Sequence, residues 1–532
     1  MKSDSSTAFQ SGLLALLAFG AIAWEADAAT DGQLRVTGGI IEGKVMEDGM
    51  RVFKGIPFAA PPTGELRWKA PQAVLPWEGI RQAKDFGPAP EQGRALAALL
   101  GVPNRFNEDC LHLNVWTKAS AASDKLPVMV WIYGGAFMNG SSSTPLYDGT
   151  RLASKGAVIV TINYRIGPLG FLAHPELGKE AGGVSGNYGI LDQIAALRWV
   201  KENIASFGGD PGCITIFGES AGAFSVAYLA SSPLAKGLFH RAIAQSGGSF
   251  APGGKLGESG TMSKTLQAAE AEGQAFLKKL GVGSIAEARS LPAKKIVATS
   301  SSGGPGTAPV FDGKILPGDL HGLYQRGRFN DTPILIGNNS DEAAMFIFGS
   351  VSPADFVKQA RERLGDSADG IVALYPHSSR AEATLSRKQL VADAAFSWHT
   401  WTWAGLQATK GKNDAYVYYF DHRPDPESDG ANHAAEIAYV FANPPASGIF
   451  SKTPQSEDQA TAETLSSYWV NFAKHGNPNG DGLPEWFPFT KSAPRAMLFG
   501  TETGMGSLPY AKRMRAWDSF FAGKREEASS KP

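Results

Sequence analysis

Residues Ile214 to Ala223 read ITIFGESAGA. The stretch opens on a short apolar run of strand type, Ile214 to Phe217, and leads through Gly218-Glu219-Ser220-Ala221-Gly222 into a helical pattern that begins near Ala221. A serine on such a sharp strand-to-helix turn has its hydroxyl raised above the sheet, and the flanking glycines leave room where a side chain would clash. The following helix N-terminus aims free N–H groups and its positive dipole end at any oxyanion formed there. A lone G-x-S-x-G arises by chance in about one of every two or three chains of this size. Its position after a strand raises its weight, and this is the single match in the chain. Ser220 is thus a candidate nucleophile.

Working outward, Leu126 to Tyr133 (LPVMVWIY) and Ala157 to Tyr164 (AVIVTINY) are nearly continuous apolar runs, as expected of strands buried on both faces. Asp192 to Phe207 carries apolar positions at helical spacing and predicts a crossover helix. Pro333 to Ile336 and Ala415 to Tyr419 predict two later core strands. Strands alternating with helices imply an α/β fold with a central, mostly parallel sheet. Leu256 to Leu291 is polar, Ala-rich and helical, followed by a Gly-rich loop from Ser300 to Thr307. Helices inserted there would cap the Ser220 turn. Tyr133-Gly134-Gly135-Ala136-Phe137 follows the first long strand. Two glycines at a strand end serve as a plain turn. They also suit a backbone loop whose Gly134 and Gly135 N–H groups, with that of Ala221, hold an oxyanion.

The chain has 532 residues, 43% hydrophobic, and a net charge of −1. That supports a large core and lacks the basic face of a nucleic-acid binder. Near the N-terminus, Leu13 to Ala23 is an apolar run too short for an ordinary span, and Ala26-Asp27-Ala28 offers small residues for cleavage after Ala28 or Ala29. We expect a signal peptide over 1–29, export to the periplasm or medium, a single domain over 30–525 and a polar tail over 526–532, with no stable membrane insertion. An uncleaved anchor is the other reading of the leader. Two cysteines, Cys110 and Cys213, allow one disulfide, but both suit small buried positions. No His or Cys spacing suggests a metal site.

Further blocks carry a resemblance. Phe53 to Gln72 (FKGIPFAAPPTGELRWKAPQ), Glu108 to Val115 (EDCLHLNV), Asn163 to Phe171 (NYRIGPLGF), Gly186 to Gln193 (GNYGILDQ) and Phe217 to Ala223 (FGESAGA) resemble, in order, the signatures of the type B carboxylesterases. That family includes cholinesterases and bacterial p-nitrobenzyl esterases. The resemblance covers nearly the whole mature chain. It implies one α/β-hydrolase domain with a deep gorge leading to the serine. It also implies the remaining triad members in the order serine, acid, histidine. Gly337 to Glu342 resembles the family's acid loop, where the second carboxylate, Glu342, is the catalytic acid and Asp341 the alternative. Ala343 stands where the family has Gly. Of nine histidines, His433 in GANHAAEI resembles the catalytic one. His422 does not match, and His475 reads as structural.

The implied reaction is hydrolysis of a carboxylic ester through an acyl-enzyme on Ser220, with His433 as general base and acid and Glu342 orienting it. It requires no cofactor, and the implied partner is a small-molecule ester. Glu219 would be buried beside the site, and Arg67 with Glu108 would form a structural ion pair. In cholinesterases a Trp before the EDC block binds choline by cation–π attraction. Here Pro90 to Asn107 holds no Trp or Tyr, and Phe106 is its sole aromatic. The partner cysteine for Cys110 is also missing, so that loop should be mobile or differently shaped. Ser302 to Ala308 (SGGPGTA) replaces the bulky aromatics of cholinesterase acyl pockets. A non-choline, bulky ester is therefore expected. A lipase, an amide, carbamate or polyester hydrolase, and a non-catalytic adhesion homologue are the alternatives, since fold does not fix function.

Overall fold

Eleven strands, numbered here along the chain, build the central sheet of the computed structural model: β1 (Lys44–Val45), β2 (Arg51–Pro57), β3 (His112–Thr117), β4 (Leu126–Ile132), β5 (Val158–Ile162), β6 (Gly209–Glu219), β7 (Arg241–Gln245), β8 (Ile334–Asn339), β9 (Ala415–Phe420), β10 (Arg495–Phe499) and β11 (Thr503–Ser507). The structure describes residues 32–252, 263–300, 306–423, 428–443 and 455–529. The expected leader, 1–29, lies outside them. The spatial order is β11-β10-β9-β8-β7-β6-β4-β5-β3-β2-β1. Every pair from β10 to β5 is parallel, and the outer pairs are antiparallel. All residues of β5 and β8 are buried, as are all but Leu126 of β4. That is why these strands read as unbroken apolar runs rather than as alternation.

The sequence left several strands unread, β7 at the centre of the sheet among them. β7 (RAIAQ) has three apolar residues between Arg241 and Gln245, too weak a pattern to stand out, yet it pairs in parallel with β6 and β8. β6 begins at Gly209 rather than Ile214. Its first residues pair with β4 only through Leu126 and Gly209, ahead of an irregularity in register, and are partly exposed. Polar Asp210-Pro211-Gly212 hides that extension. The crossover helix starts at Tyr188, earlier than Asp192, and passes at Asn203 into a 3-10 turn, Ile204–Phe207.

The helices that shape the site are α1 (Arg94–Leu99), α2 (Tyr188–Asn203), α3 (Ala221–Ser231), α4 (Leu266–Leu280), α5 (Ala293–Thr299), α6 (Pro353–Leu364) and α7 (Arg380–Ala392). Each residue of α3 is buried. α4 buries Ala269, Gly273, Phe276, Leu277 and Leu280, the spacing of one helical face. Thr265 caps its start by accepting from the Ala268 N–H, and Gly281 ends it in the left-handed region. With Ile296 of α5, that face packs on Trp68, Leu172 and Tyr188. The expected helical insertion is therefore present. α6 and α7, inserted between β8 and β9, form a second helical layer that the sequence reading did not place. The final helix, Ala511–Ser529, runs on into the segment read as a polar tail.

Arg67 joins the N-terminal block to the insertion. It donates to Glu108 from Nε at 2.7 Å and from Nη2 at 2.5 Å, and its Nη1 reaches the carbonyls of Ala288, Arg289 and Leu291. Both cysteines are free. Cys110 is buried and Cys213 partly so.

Candidate active site

The parallel strands deliver their C-terminal ends to one edge of the sheet, where open α/β sheets place ligands. Register aligns Ile132 with Gly218, Glu219 with Gln245, and Gln245 with Gly337. The residues just beyond these positions are Tyr133-Gly134, Ser220, Ser246 and the loop ending in Glu342.

Ser220 sits at φ 52° and ψ −122°, a strained conformation for a residue with a side chain. Its N–H donates to the Gln245 carbonyl at 2.9 Å, and its carbonyl accepts from Phe224 N–H at 2.9 Å. The flanking glycines are sterically required. A Cβ on Gly222 would lie 1.9 Å from the Ile132 carbonyl oxygen, and one on Gly218 2.6 Å from the same atom. Ala221 is the first residue of α3, so its N–H has no partner within the helix.

Gly134 closes against this turn. A Cβ there would stand 2.6 Å from the Glu219 carbonyl oxygen and 3.0 Å from Ser220 Cβ. Gly135 has φ +102°, and a Cβ on it would meet the Asn139 carbonyl oxygen at 2.3 Å. Ala136 and Phe137 continue the loop at φ 55° and 58°. The Phe137 carbonyl accepts from Gly167 N–H at 2.6 Å. The loop is thus a backbone surface pressed against Ser220, with no side chain at its closest point.

His433 meets Glu342 through Nδ1 and Oε2 at 2.5 Å. Glu342 is fully buried, and its Oε1 accepts from Ser246 Oγ and from Asn339 N–H, each at 2.6 Å. Asp341 points elsewhere, with its carboxylate 3.6 Å from Lys388 Nζ and its N–H on the Ala431 carbonyl. The acid and histidine loops are stitched together. Ala431 N–H donates to Ser340 Oγ at 2.7 Å, and Asn339 Nδ2 to the Asn432 carbonyl at 2.8 Å. Phe396 and Phe346 pack on the imidazole, with centroids at 4.8 and 5.2 Å.

Glu219 is buried, and its Oε1 lies 3.0 Å from His433 Nε2, at ion-pair distance but not aligned as a hydrogen bond. Burial disfavours the charged imidazole. The Glu219 and Glu342 carboxylates outweigh it and push the His433 pKa above the ordinary histidine value. Burial pushes the Glu219 carboxyl upward, against the attraction of His433, with Glu436 and Glu342 adding repulsion. Glu436 is itself buried and accepts from Gln245 Nε2 at 3.0 Å and Asn339 Nδ2 at 2.6 Å. Ser246, Glu436, Phe346 and Phe396 were not singled out by the sequence. Ser246 follows a strand that was itself unread, Glu436 lies within the GANHAAEI block but was not assigned a role there, and the two phenylalanines carry no motif of their own.

Glu219, Phe346, Phe396 and His433 line a cavity of about 1360 Å³. Its walls include Gly134, Gly135, Ser220 and His433, Leu96 and Leu99 from α1, and Val297 from α5. The segment before Cys110 therefore forms a short helix in the cavity wall, and Phe106 is occupied by Arg94, whose guanidinium lies 3.8 Å over its ring. Of the replaced acyl-pocket stretch, residues 302–305 lie outside the described residues. His422 belongs to a different cluster, on Asp458 at 2.8 Å, and His475 is exposed. Among the described residues no His, Cys, Asp and Glu group is arranged to hold a metal, and no helix is long and apolar enough to cross a membrane. Ser220 and His433 line the same cavity, and a hydroxyl, an imidazole backed by a buried carboxylate, and backbone donors there suit acyl transfer.

Comparison with known proteins agrees. A family model described as the carboxylesterase family matches residues 30–517. A fumonisin B1 esterase of Sphingopyxis macrogoltabida is 37% identical over 88% of this chain and 86% of its own length. The para-nitrobenzyl esterase of Bacillus subtilis is 34% identical over 88% and 94%. Among solved structures, a PNB esterase superposes with TM-score 0.79 at 32% identity, covering 92% of this chain and 99% of that one. A Geobacillus stearothermophilus carboxylesterase does so with TM-score 0.79 at 35% identity, covering 91% and 100%.

Proposed function

Because the chain belongs to the carboxylesterase family and is a carboxylic ester hydrolase, we propose that Ser220 is its nucleophile, His433 its general base and acid, and Glu342 the residue that orients the imidazole. The 2.5 Å contact between Glu342 and His433 beside the strained Ser220 turn carries this reading. In the cycle, His433 takes the Ser220 proton as Oγ attacks the ester carbonyl. The N–H groups of Gly134, Gly135 and Ala221 hold the tetrahedral oxyanion. His433 then protonates the departing alcohol. Water, deprotonated by the same imidazole, attacks the acyl-enzyme, and the acid is released as Ser220 recovers its proton. No step calls for a cofactor.

The substrate is a bulky, non-choline ester. The size of the cavity and the absence of Trp or Tyr from Pro90 to Asn107 support this. The relative named for para-nitrobenzyl esters supports an aromatic alcohol. The protein acts after export, to the periplasm or medium, a reading supported by Leu13 to Ala23 and Ala26-Asp27-Ala28. Edman sequencing of exported protein that starts after Ala28 or Ala29 would bear this out.

The direct test is hydrolysis of p-nitrophenyl butyrate by wild type and by Ser220→Ala. Turnover should vanish in the variant, and an organophosphate should label the wild type alone. Undiminished turnover in Ser220→Ala would remove Ser220 from the mechanism.

A further inference from the structure

A second cavity of about 300 Å³ adjoins the gorge. The two share Phe346, Ile347, Arg363 and Val391 in their walls, so Phe346, whose ring packs edge-on against His433, separates the reacting centre from this side pocket. The pocket is formed largely by α6, α7 and the chain around Phe348. Its lining is aromatic and aliphatic apart from Gln359 and two guanidinium groups, Arg363 and Arg387, and it contains no Asp or Glu.

Arg387 is held in a particular way. Its Nη2 donates to the carbonyls of Phe348 and Gly349, which fixes the guanidinium plane. No carboxylate among the described residues pairs with it, and its Nε is shut off from solvent without an acceptor. A half-buried guanidinium with one N–H shut off from solvent and no carboxylate partner, set among apolar side chains, is a good arrangement for receiving a carboxylate. The apolar walls would carry the methylene chain leading to it, and the shared residues Phe346, Ile347 and Val391 set the two cavities side by side.

We propose that this side pocket is a carboxylate subsite, and that the preferred substrates are esters carrying a second, free carboxylate at the end of an apolar arm. The inference rests on the esterase reading above, since it defines one end of the substrate by Ser220.

The experiment compares paired esters that differ in the terminal carboxylate. On the acyl side the pair is p-nitrophenyl hydrogen suberate and p-nitrophenyl octanoate. On the alcohol side it is 8-acetoxyoctanoate and octyl acetate. Each is measured with wild type, Arg387→Met and Arg387→Lys, with thermal melts confirming that the variants are folded. In at least one pair the wild type should favour the carboxylate ester. Arg387→Met should lower the carboxylate-to-neutral ratio of kcat/KM by roughly tenfold or more, chiefly through KM, as expected for losing a charge-assisted hydrogen bond. Arg387→Lys should restore part of the ratio. A wild type without preference in either pair, or a ratio unmoved by Arg387→Met, overturns the subsite. If no ester is turned over by folded wild type, the esterase reading fails instead. Calorimetry of suberate binding to Ser220→Ala then decides the subsite alone. Binding lost on adding Arg387→Met supports it, and absence of binding refutes it.

Discussion

Two neighbouring carboxylates, Asp341 and Glu342, divide their work by direction. Glu342 faces His433 and is held by Ser246 and Asn339, whereas Asp341 faces Lys388. Glu342→Gln should therefore lower kcat by roughly a thousandfold to ten-thousandfold, the scale of losing the orienting acid in a triad. Asp341→Asn should stay within a fewfold of wild type, and steady-state kinetics on one ester separates the two. Glu219 is placed to influence His433 through charge. His433 must be neutral to accept a proton, and the nearby Glu219 carboxylate favours its charged form, so the folded pKa is raised. Base activity is then present above that pKa and lost as pH falls through it. Glu219→Gln removes one of the raising charges while Glu342 and Glu436 remain. The acid limb of kcat/KM should move to lower pH, and a limb that stays in place or moves upward would refute the charge role. Ser220 and His433 could be read from sequence because each sits in a short local pattern. Ser246 could not, because its partner Glu342 lies 96 positions away along the chain.

The strand–turn–helix element works because glycine occupies two positions where no other residue fits. α3 crosses so close to the end of β4 that a Cβ on Gly222 would penetrate the Ile132 carbonyl. A backbone atom cannot rotate away as a side chain can, so Gly222→Ala must shift α3 or β4. Overpacking of this kind typically costs about 1–3 kcal/mol and sometimes more. Denaturant unfolding should show a loss at the upper end of that range or beyond, with activity falling alongside as the Ser220 turn is displaced. The Gly134 loop obeys the same constraint from the other side. The glycines of G-x-S-x-G and of the Gly134-Gly135 pair were thus legible as steric requirements. The short β7 strand and the helices α6 and α7 were not, because their register and burial come from neighbours distant in sequence.

For the molecule as a whole, the parallel sheet brings loops from many strands to one edge, and the helical insertions raise walls around them. The resulting cavity of about 1360 Å³ exceeds what an acetyl ester fills. Turnover of p-nitrophenyl esters should accordingly rise from acetate through butyrate to octanoate as more apolar surface is buried, each methylene contributing up to about 0.8 kcal/mol. Acetate hydrolysed far faster than octanoate would contradict a roomy acyl site. The walls come from α1, α5 and the Phe346 region, segments far apart in sequence.

Amino-acid order alone determined the class of fold, the serine turn and the glycine loop, singled out His433, and narrowed the acid to the neighbouring pair Asp341 and Glu342. Those features depend on local patterns and on signatures that survive as short contiguous blocks. Only the tertiary structure decided that Glu342 rather than Asp341 meets His433, and that Glu219 stands against the imidazole. It alone revealed Ser246 behind the acid, and a side pocket holding an unneutralised Arg387 beside the gorge. Each of these is a contact between segments tens to hundreds of residues apart, or a choice of direction between adjacent side chains, which the packing of the whole sheet and its helices sets.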